Sequence, residues 1–129
     1  MKTIITTEHA PAPLGPYNQA VLSGNTLYIS GQIAINPESG DLILGDIKSE
    51  TLQVMKNLEA ILHATDLTFN NVVKSSIFIS NMDDFGAINE VYGSFFDDAN
   101  APARETVQVA KLPKNVNVEI SMIAVIAGI

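Results

Sequence analysis

The chain has no cysteine and, among its 129 residues, a single arginine, Arg104. The absence of cysteine excludes disulfides, thiolate nucleophiles and cysteine-bound metals, and it suits a cytoplasmic location. Basic side chains are also scarce, since seven Lys and Arg stand against fourteen Asp and Glu, for a formal net charge of −7. The lysines are scattered along the sequence. We therefore expect no nucleic-acid partner, because a phosphate backbone requires clustered positive charge.

Long apolar runs are missing as well. The most apolar stretch, residues 120–129, is too short and too interrupted to cross a bilayer, and the N-terminus lacks the apolar run of a secretion signal. We therefore expect no membrane association. His9 and His63 lie far apart in sequence and are interpreted as surface or helix-end residues, so no metal site is predicted. With 47% hydrophobic residues, the chain has enough apolar mass for one domain spanning residues 1–129.

The hydrophobic periodicity predicts the element order β-β-β-α-β-α-β-β. Ser23-Gly24-Asn25 separates two apolar runs and predicts a hairpin. Asp46 is the expected N-cap of a helix from Ile47 to about Ala64. A strand is predicted over residues 72–80 and a second helix from Asp83 or Asp84 to Phe96. The apolar stripe predicted for the first helix consists of Leu52, Met55, Leu58, Ile61 and Leu62.

Hairpins at both ends of a partly alternating chain indicate an α+β fold, with one mostly antiparallel sheet and two helices on one of its faces. Such an arrangement leaves the other face of the sheet uncovered. The charged fraction is only 16%. Both features predict association with further copies of the chain.

The segment around Arg104 is the expected location of the chemistry. Arg104, Thr106 and Gln108 alternate with Val107 and Val109, as in a strand with one polar face and one face on the core. A guanidinium offers paired, planar donors that match a carboxylate.

The run from residue 116 to 122 alternates in the same way. If the two runs form an antiparallel hairpin, Arg104 lies opposite Glu119. The pair is then either a cross-strand ion pair worth about 0.2–1 kcal/mol or a carboxylate fork beside a general base. Spacing alone does not decide between these interpretations.

Two other residues allow a structural and a functional interpretation. Asn89 falls in the middle of the second helix, a position that asparagine does not favour, so its amide is either simply exposed to solvent or reaches into a polar site. Gly31 follows a predicted strand. It indicates a β-bulge, a close approach to the backbone, or only the end of the strand.

Several segments, taken together, resemble the Rid (YjgF) family. They are residues 12–21, 27–32, 85–92, 102–104 and 118–120, and the similarity extends over essentially the whole chain. The resemblance implies a chorismate-mutase-like protomer of the Bacillus type that assembles as a homotrimer, with sites in the clefts between subunits.

The resemblance also implies an activity, the hydrolysis of reactive enamines and imines such as 2-aminoacrylate and 2-aminocrotonate to 2-keto acids and ammonia, without a cofactor. Arg104 would bind the substrate carboxylate and Glu119 would activate the attacking water. Thr106 stands where many relatives have cysteine, and its backbone N–H would still meet the carboxylate. The remaining cleft residues implied are Tyr17, Ser30, Gly31 through its backbone, and Asn89.

Other functions stay open at this point. A module that binds 2-keto acids or similar small carboxylates without turnover would need Arg104 but not Glu119. Some members of the family are described as translation inhibitors or ribonucleases, which the acidic balance of this chain argues against. An interaction or chaperone-like role is not readable from the sequence.

Overall fold

A computed structural model describes residues 1–126, so the last three residues of the predicted domain and of the apolar stretch 120–129 lie outside the described part. The predicted order of strands and helices is confirmed, and no helix among the described residues is long and apolar enough to cross a membrane. The elements are β1 (Lys2–Ile5), β2 (Ala20–Ser23), β3 (Thr26–Gln32), α1 (Ile47–His63), β4 (Val72–Ile79), α2 (Phe85–Gly93), β5 (Ala103–Gln108) and β6 (Val118–Val125).

The strands form one sheet in the order β1-β2-β3-β6-β4-β5. All neighbouring strands are antiparallel except β4 and β5, which are parallel. The α+β class and the mostly antiparallel sheet are therefore confirmed. The parallel pair follows from α2, since two parallel strands need a crossover connection and a helix is the usual one.

The predicted hairpin between the last two strands is wrong. β4 lies between β5 and β6, so Arg104 pairs with Ser75 of β4, and Glu119 pairs with Phe78 of the same strand. After β5 the chain passes through a short 3₁₀ turn, Pro113–Asn115, and enters β6 on the far side of β4. Alternation predicts the two faces of a strand but carries no information about its partner.

Both helices pack on one face of the sheet and enclose the main core. Asp46 caps α1 as predicted, because its carboxylate accepts a hydrogen bond from the Ser49 N–H at 2.9 Å. The predicted stripe of α1 is correct except for Leu52, which is 38% exposed, while Val54 is buried in its place. The buried strand residues beneath the helices include Leu27, Ile29, Ile77, Ile79, Ile120 and Met122.

The opposite face of the sheet is largely uncovered. A small second core of Ile33, Ile35, Leu112 and Val116 covers one end of it. Across the remainder, an apolar row runs from strand to strand in register, and Tyr28 in this row is 50% exposed. The row consists of Ile4, Val21, Tyr28 and Ile123.

Candidate active site

Arg104 lies on the helix side of the edge strand β5, beside α2. Its guanidinium carbon is 5.1 Å from the centroid of the Tyr92 ring and 5.6 Å from that of Phe85. Its Nη1 donates a hydrogen bond of 2.6 Å to Asn89 Oδ1. Two aromatic rings and one amide therefore orient the guanidinium. Of the two alternatives for Asn89, the structure shows an exposed side chain that nevertheless reaches the arginine.

The guanidinium keeps donors available for an anion. The ion pairs of residues 1–126 join Lys48 to Glu90 and Lys74 to Glu105, and neither includes Arg104. The interpretation of Arg104 as half of a cross-strand ion pair with Glu119 is therefore wrong. The predicted orientation of β5 is also reversed, because its polar side faces the helices and Val107 points to the uncovered face.

The guanidinium of Arg104 lies over the ring of Tyr92, which is itself held by a hydrogen bond. The Tyr92 hydroxyl donates to Ser75 Oγ at 2.8 Å, and both side chains are buried. Burial raises the pKa of the Tyr92 hydroxyl, so this group stays a neutral donor. Arg104 and Asp98 both line the cleft beside the ring.

Thr106 follows Arg104 on the same side of β5, one strand repeat away. Its Oγ1 is buried and has no hydrogen-bond partner among residues 1–126. A buried hydroxyl without a partner is uncommon, because its desolvation is not compensated. We define Asn89, Arg104 and Thr106 as the arginine half-site, a group of polar atoms with capacity left for an anionic ligand.

Glu119 occupies the uncovered face, where it lies directly over Gly31. A Cβ added to Gly31 would stand 2.5 Å from Glu119 Oε2, 2.8 Å from Cδ and 3.0 Å from Cγ. The β3–β6 register shifts between Ile29 and Gln32, so Gly31 sits at a bulge and is also a point of close approach. Burial against this backbone raises the pKa of the Glu119 carboxyl above its usual value.

Tyr17 and Ser30 lie close to Gly31. Tyr17 and Gly31 line one cleft, and the Tyr17 hydroxyl accepts a hydrogen bond from the Leu14 N–H at 3.1 Å. Ser30 Oγ donates to the carbonyl of Asn18 at 2.6 Å, which ties the loop that carries Tyr17 to β3. We define Tyr17, Ser30, Gly31 and Glu119 as the glutamate half-site.

The two half-sites face away from each other. Their pairing partners on β4, Ser75 and Phe78, are three residues apart, and side chains an odd number of residues apart point to opposite faces of a sheet. The strands that carry Arg104 and Glu119 are also separated by β4, a distance of roughly 10 Å. Arg104 and Glu119 of the same chain therefore cannot both contact one small substrate. The predicted placement of Arg104 directly opposite Glu119 is wrong.

Comparison with known proteins shows which family has this fold. A model of the Endoribonuclease L-PSP family matches residues 7–126. A crystal structure of a conserved Rid family protein from Yersinia pestis superimposes with a TM-score of 0.94 at 44% identity, covering 98% of this chain and all of that one, 100%. This chain belongs to the Rid (YjgF) family.

Two further Rid relatives show the range of names within the family. The RutC family protein of Pyrococcus horikoshii is 48% identical, covering 96% of this chain and 98% of the relative. The 2-iminobutanoate/2-iminopropanoate deaminase of Mus musculus is 46% identical, covering 97% of this chain and 90% of the relative. The family recognised from short segments is confirmed over nearly the full length.

Some contacts of this Rid protein were missed in the sequence. The contacts of Tyr92 and Phe85 with Arg104 were not predicted, although Tyr92 stands three residues after Asn89 and shares its side of the helix. His9 and His63, which lie far apart in sequence, line one cleft together. Residues 1–126 nevertheless contain no group of three side chains able to hold a metal ion.

Proposed function

We propose that this Rid protein hydrolyses 2-enamines and 2-imines derived from amino acids, such as 2-aminoacrylate and 2-aminocrotonate, to 2-keto acids and ammonia. The observation that carries the proposal is the division of the polar residues into an anion-binding half with unused donors and a half with a desolvated carboxylate. A relative at 46% identity is named as a deaminase of such imines, which supports the same chemistry here.

The two halves act together when they come from different copies of the chain. The arginine half-site lies at the β5 edge of the sheet, and the glutamate half-site lies on the uncovered face. Packing the edge of one copy against the uncovered face of another would bury the apolar row and bring Arg104 to Glu119 of the partner copy. A homotrimer, as implied by the family resemblance, repeats this contact three times.

Arg104 binds the substrate carboxylate with the donors that Asn89 leaves free, and the Thr106 N–H and hydroxyl add contacts on the same side. The enamine first tautomerises to the imine, and a proton on its nitrogen makes the adjacent carbon electrophilic. The substrate then needs a positioned water and a group that accepts a proton.

Glu119 takes a proton from that water as the new C–O bond forms, which gives a carbinolamine. The proton passes on to nitrogen, the C–N bond breaks as the C=O bond forms and Glu119 takes up the hydroxyl proton, and ammonia leaves with the keto acid. The raised pKa of Glu119 makes its carboxylate a stronger base than an exposed glutamate.

The first test couples serine and threonine dehydratases to the release of pyruvate and 2-ketobutyrate, with wild-type protein, Glu119→Ala and Arg104→Ala. Acceleration by the wild type alone supports the proposal. If none of the three accelerates release but 2-ketobutyrate binds to the wild type and to Glu119→Ala, the protein is a binding module for small carboxylates.

Mixing the two inactive variants tests the composite site. After co-refolding at equal amounts, about a quarter of the interfaces would combine an intact Arg104 with an intact Glu119. We expect activity to return to about that fraction of the wild-type rate. Full inactivity of the mixture, with mixed oligomers demonstrated by mass spectrometry, would show that both residues must come from one chain.

A further inference from the structure

Glu50 is a fully buried carboxylate on α1 that the proposed mechanism does not use. Its Oε2 accepts hydrogen bonds from the backbone N–H groups of Asn117, at 2.7 Å, and Val118, at 3.2 Å. Its Oε1 accepts from Asn117 Nδ2 at 2.8 Å. Both backbone groups belong to the residues that immediately precede Glu119.

Asn57, two turns further along the same side of α1, contacts the segment that follows β3. It is fully buried, and its Nδ2 donates to the carbonyls of Ile33, at 3.1 Å, and Ile35, at 3.0 Å. Its Oδ1 accepts from Gln53 Nε2 at 2.9 Å, which fixes the orientation of the amide. The segment it contacts begins two residues after Gly31.

The hydrogen bonds of Glu50 and Asn57 lie at the point where the β3–β6 ladder ends. The last pair of that ladder is Gln32 with Ile120, beyond which the two strands separate. Backbone N–H groups on the β6 side and carbonyls on the β3 side would otherwise lose their partners, at a cost in a buried region. Glu50 supplies the acceptors and Asn57 the donors.

We propose that Glu50 and Asn57 are positioning residues, which hold the fork between β3 and β6 open at the separation that seats Glu119 over Gly31. The inference rests on the proposed function for its catalytic consequence. A carboxylate buried without a cation is costly, and a leucine of similar volume would satisfy a purely packing role. The hydrogen bonds to the strand ends are what an apolar residue cannot replace.

The experiment compares Glu50→Leu, Glu50→Gln and Asn57→Ala with Thr51→Val as a matched control. Thr51 is equally buried on the same helix, but within residues 1–126 its hydroxyl bonds only to the Ile47 carbonyl of α1. For each variant we would measure kcat, KM, the melting temperature, and the NMR titration of the Glu119 carboxyl carbon.

We expect Glu50→Leu to lower kcat by about 10- to 100-fold, the order of loss that follows an ångström of misplacement. KM should stay within about threefold, because Arg104 is on the other half-site. Glu50→Gln should keep most of the activity, since its carbonyl oxygen can replace Oε2 and the Asn117 amide can rotate to match. Asn57→Ala independently tests the hydrogen bonds to the Ile33 and Ile35 carbonyls, and it replaces Glu50→Leu in the experiment if that variant does not fold.

The titration does not depend on turnover. In Glu50→Leu and Asn57→Ala, Glu119 should titrate closer to an exposed glutamate, while Thr51→Val should leave both titration and kcat unchanged. The inference is overturned if folded Glu50→Leu or Asn57→Ala keeps the wild-type titration of Glu119, or if Thr51→Val loses as much kcat as they do. An inactive wild type would refute the proposed function alone, and the titration would still decide the positioning role.

Discussion

Replacing Gly31 with alanine should inactivate the protein while leaving it folded. The new Cβ would stand 2.5 Å from Glu119 Oε2 and 2.8 Å from Cδ. Ordinary contacts between such atoms are about 3.4 Å or longer, so the carboxylate must retreat by about 1 Å. Gly31 is not in the left-handed backbone region, so alanine is compatible with its conformation.

The activity and the stability should respond very differently. A displacement of about 1 Å from a productive geometry costs up to about 100-fold in rate, so we expect a loss of 10- to 100-fold, equivalent to about 1.4–2.7 kcal/mol of transition-state stabilisation. The group that moves is the end of a flexible, half-buried side chain. The free energy of unfolding should therefore fall by no more than about 1 kcal/mol, the lower limit for overpacking.

The assay is keto-acid release together with thermal unfolding, and Gly45→Ala is the control. A Cβ at Gly45 meets no atom of the described residues within 4 Å, so this variant should keep full activity. The variant Gly31→Ala should also have no further effect in a Glu119→Ala background, because both changes act through one carboxylate. Activity of Gly31→Ala within twofold of wild type, or full additivity of the two changes, would refute the reasoning.

Three further outcomes follow from the two half-sites. Arg104→Lys should raise KM for the imine by at least about tenfold, because an ammonium cannot form the paired contact, and steady-state kinetics with Arg104→Ala as reference measures this. Tyr92→Phe should lower the free energy of unfolding by about 1–3 kcal/mol, since it leaves Ser75 Oγ buried without its donor, and chemical denaturation checks it. Because burial raises the folded pKa of Glu119, the protonated carboxyl favours folding at acid pH, and this contribution is lost as the pH rises through the raised pKa. Glu119→Gln should therefore melt above wild type near about pH 7, with the difference vanishing in acid, while wild-type turnover should fall as the pH drops through the same pKa. If the difference in melting temperature between Glu119→Gln and wild type were the same at every pH, it would contradict the conclusion that burial raises the pKa of Glu119.

The local patterns of the sequence predict most of the secondary structure. Apolar periods of two and 3.6 residues reveal all eight elements, and Asp46 marks the start of α1, because both signals are short-range properties of the backbone. The only arginine also identifies the residue expected to bind an anion. Residue types and spacing are sufficient for these conclusions.

The placement of the candidate site was decided by tertiary structure. The strand β4 separates Arg104 from Glu119, because the crossover through α2 makes β5 parallel to β4 and leaves β6 to pair on the other side. No local pattern encodes that choice, since strand pairing is a long-range contact. The role of Gly31 depends in the same way on which side chain crosses it.

The sequence by itself thus determined the order of the elements, the amphipathic faces of the helices and the family, all of which depend on neighbouring residues or on motifs. Only the tertiary structure decided that the polar residues divide into two half-sites on opposite faces, and that Glu50 and Asn57 reach the ends of separate strands. The physical reason is that side-chain alternation records burial on one strand, whereas a site is made by strands and helices that meet from distant parts of the chain.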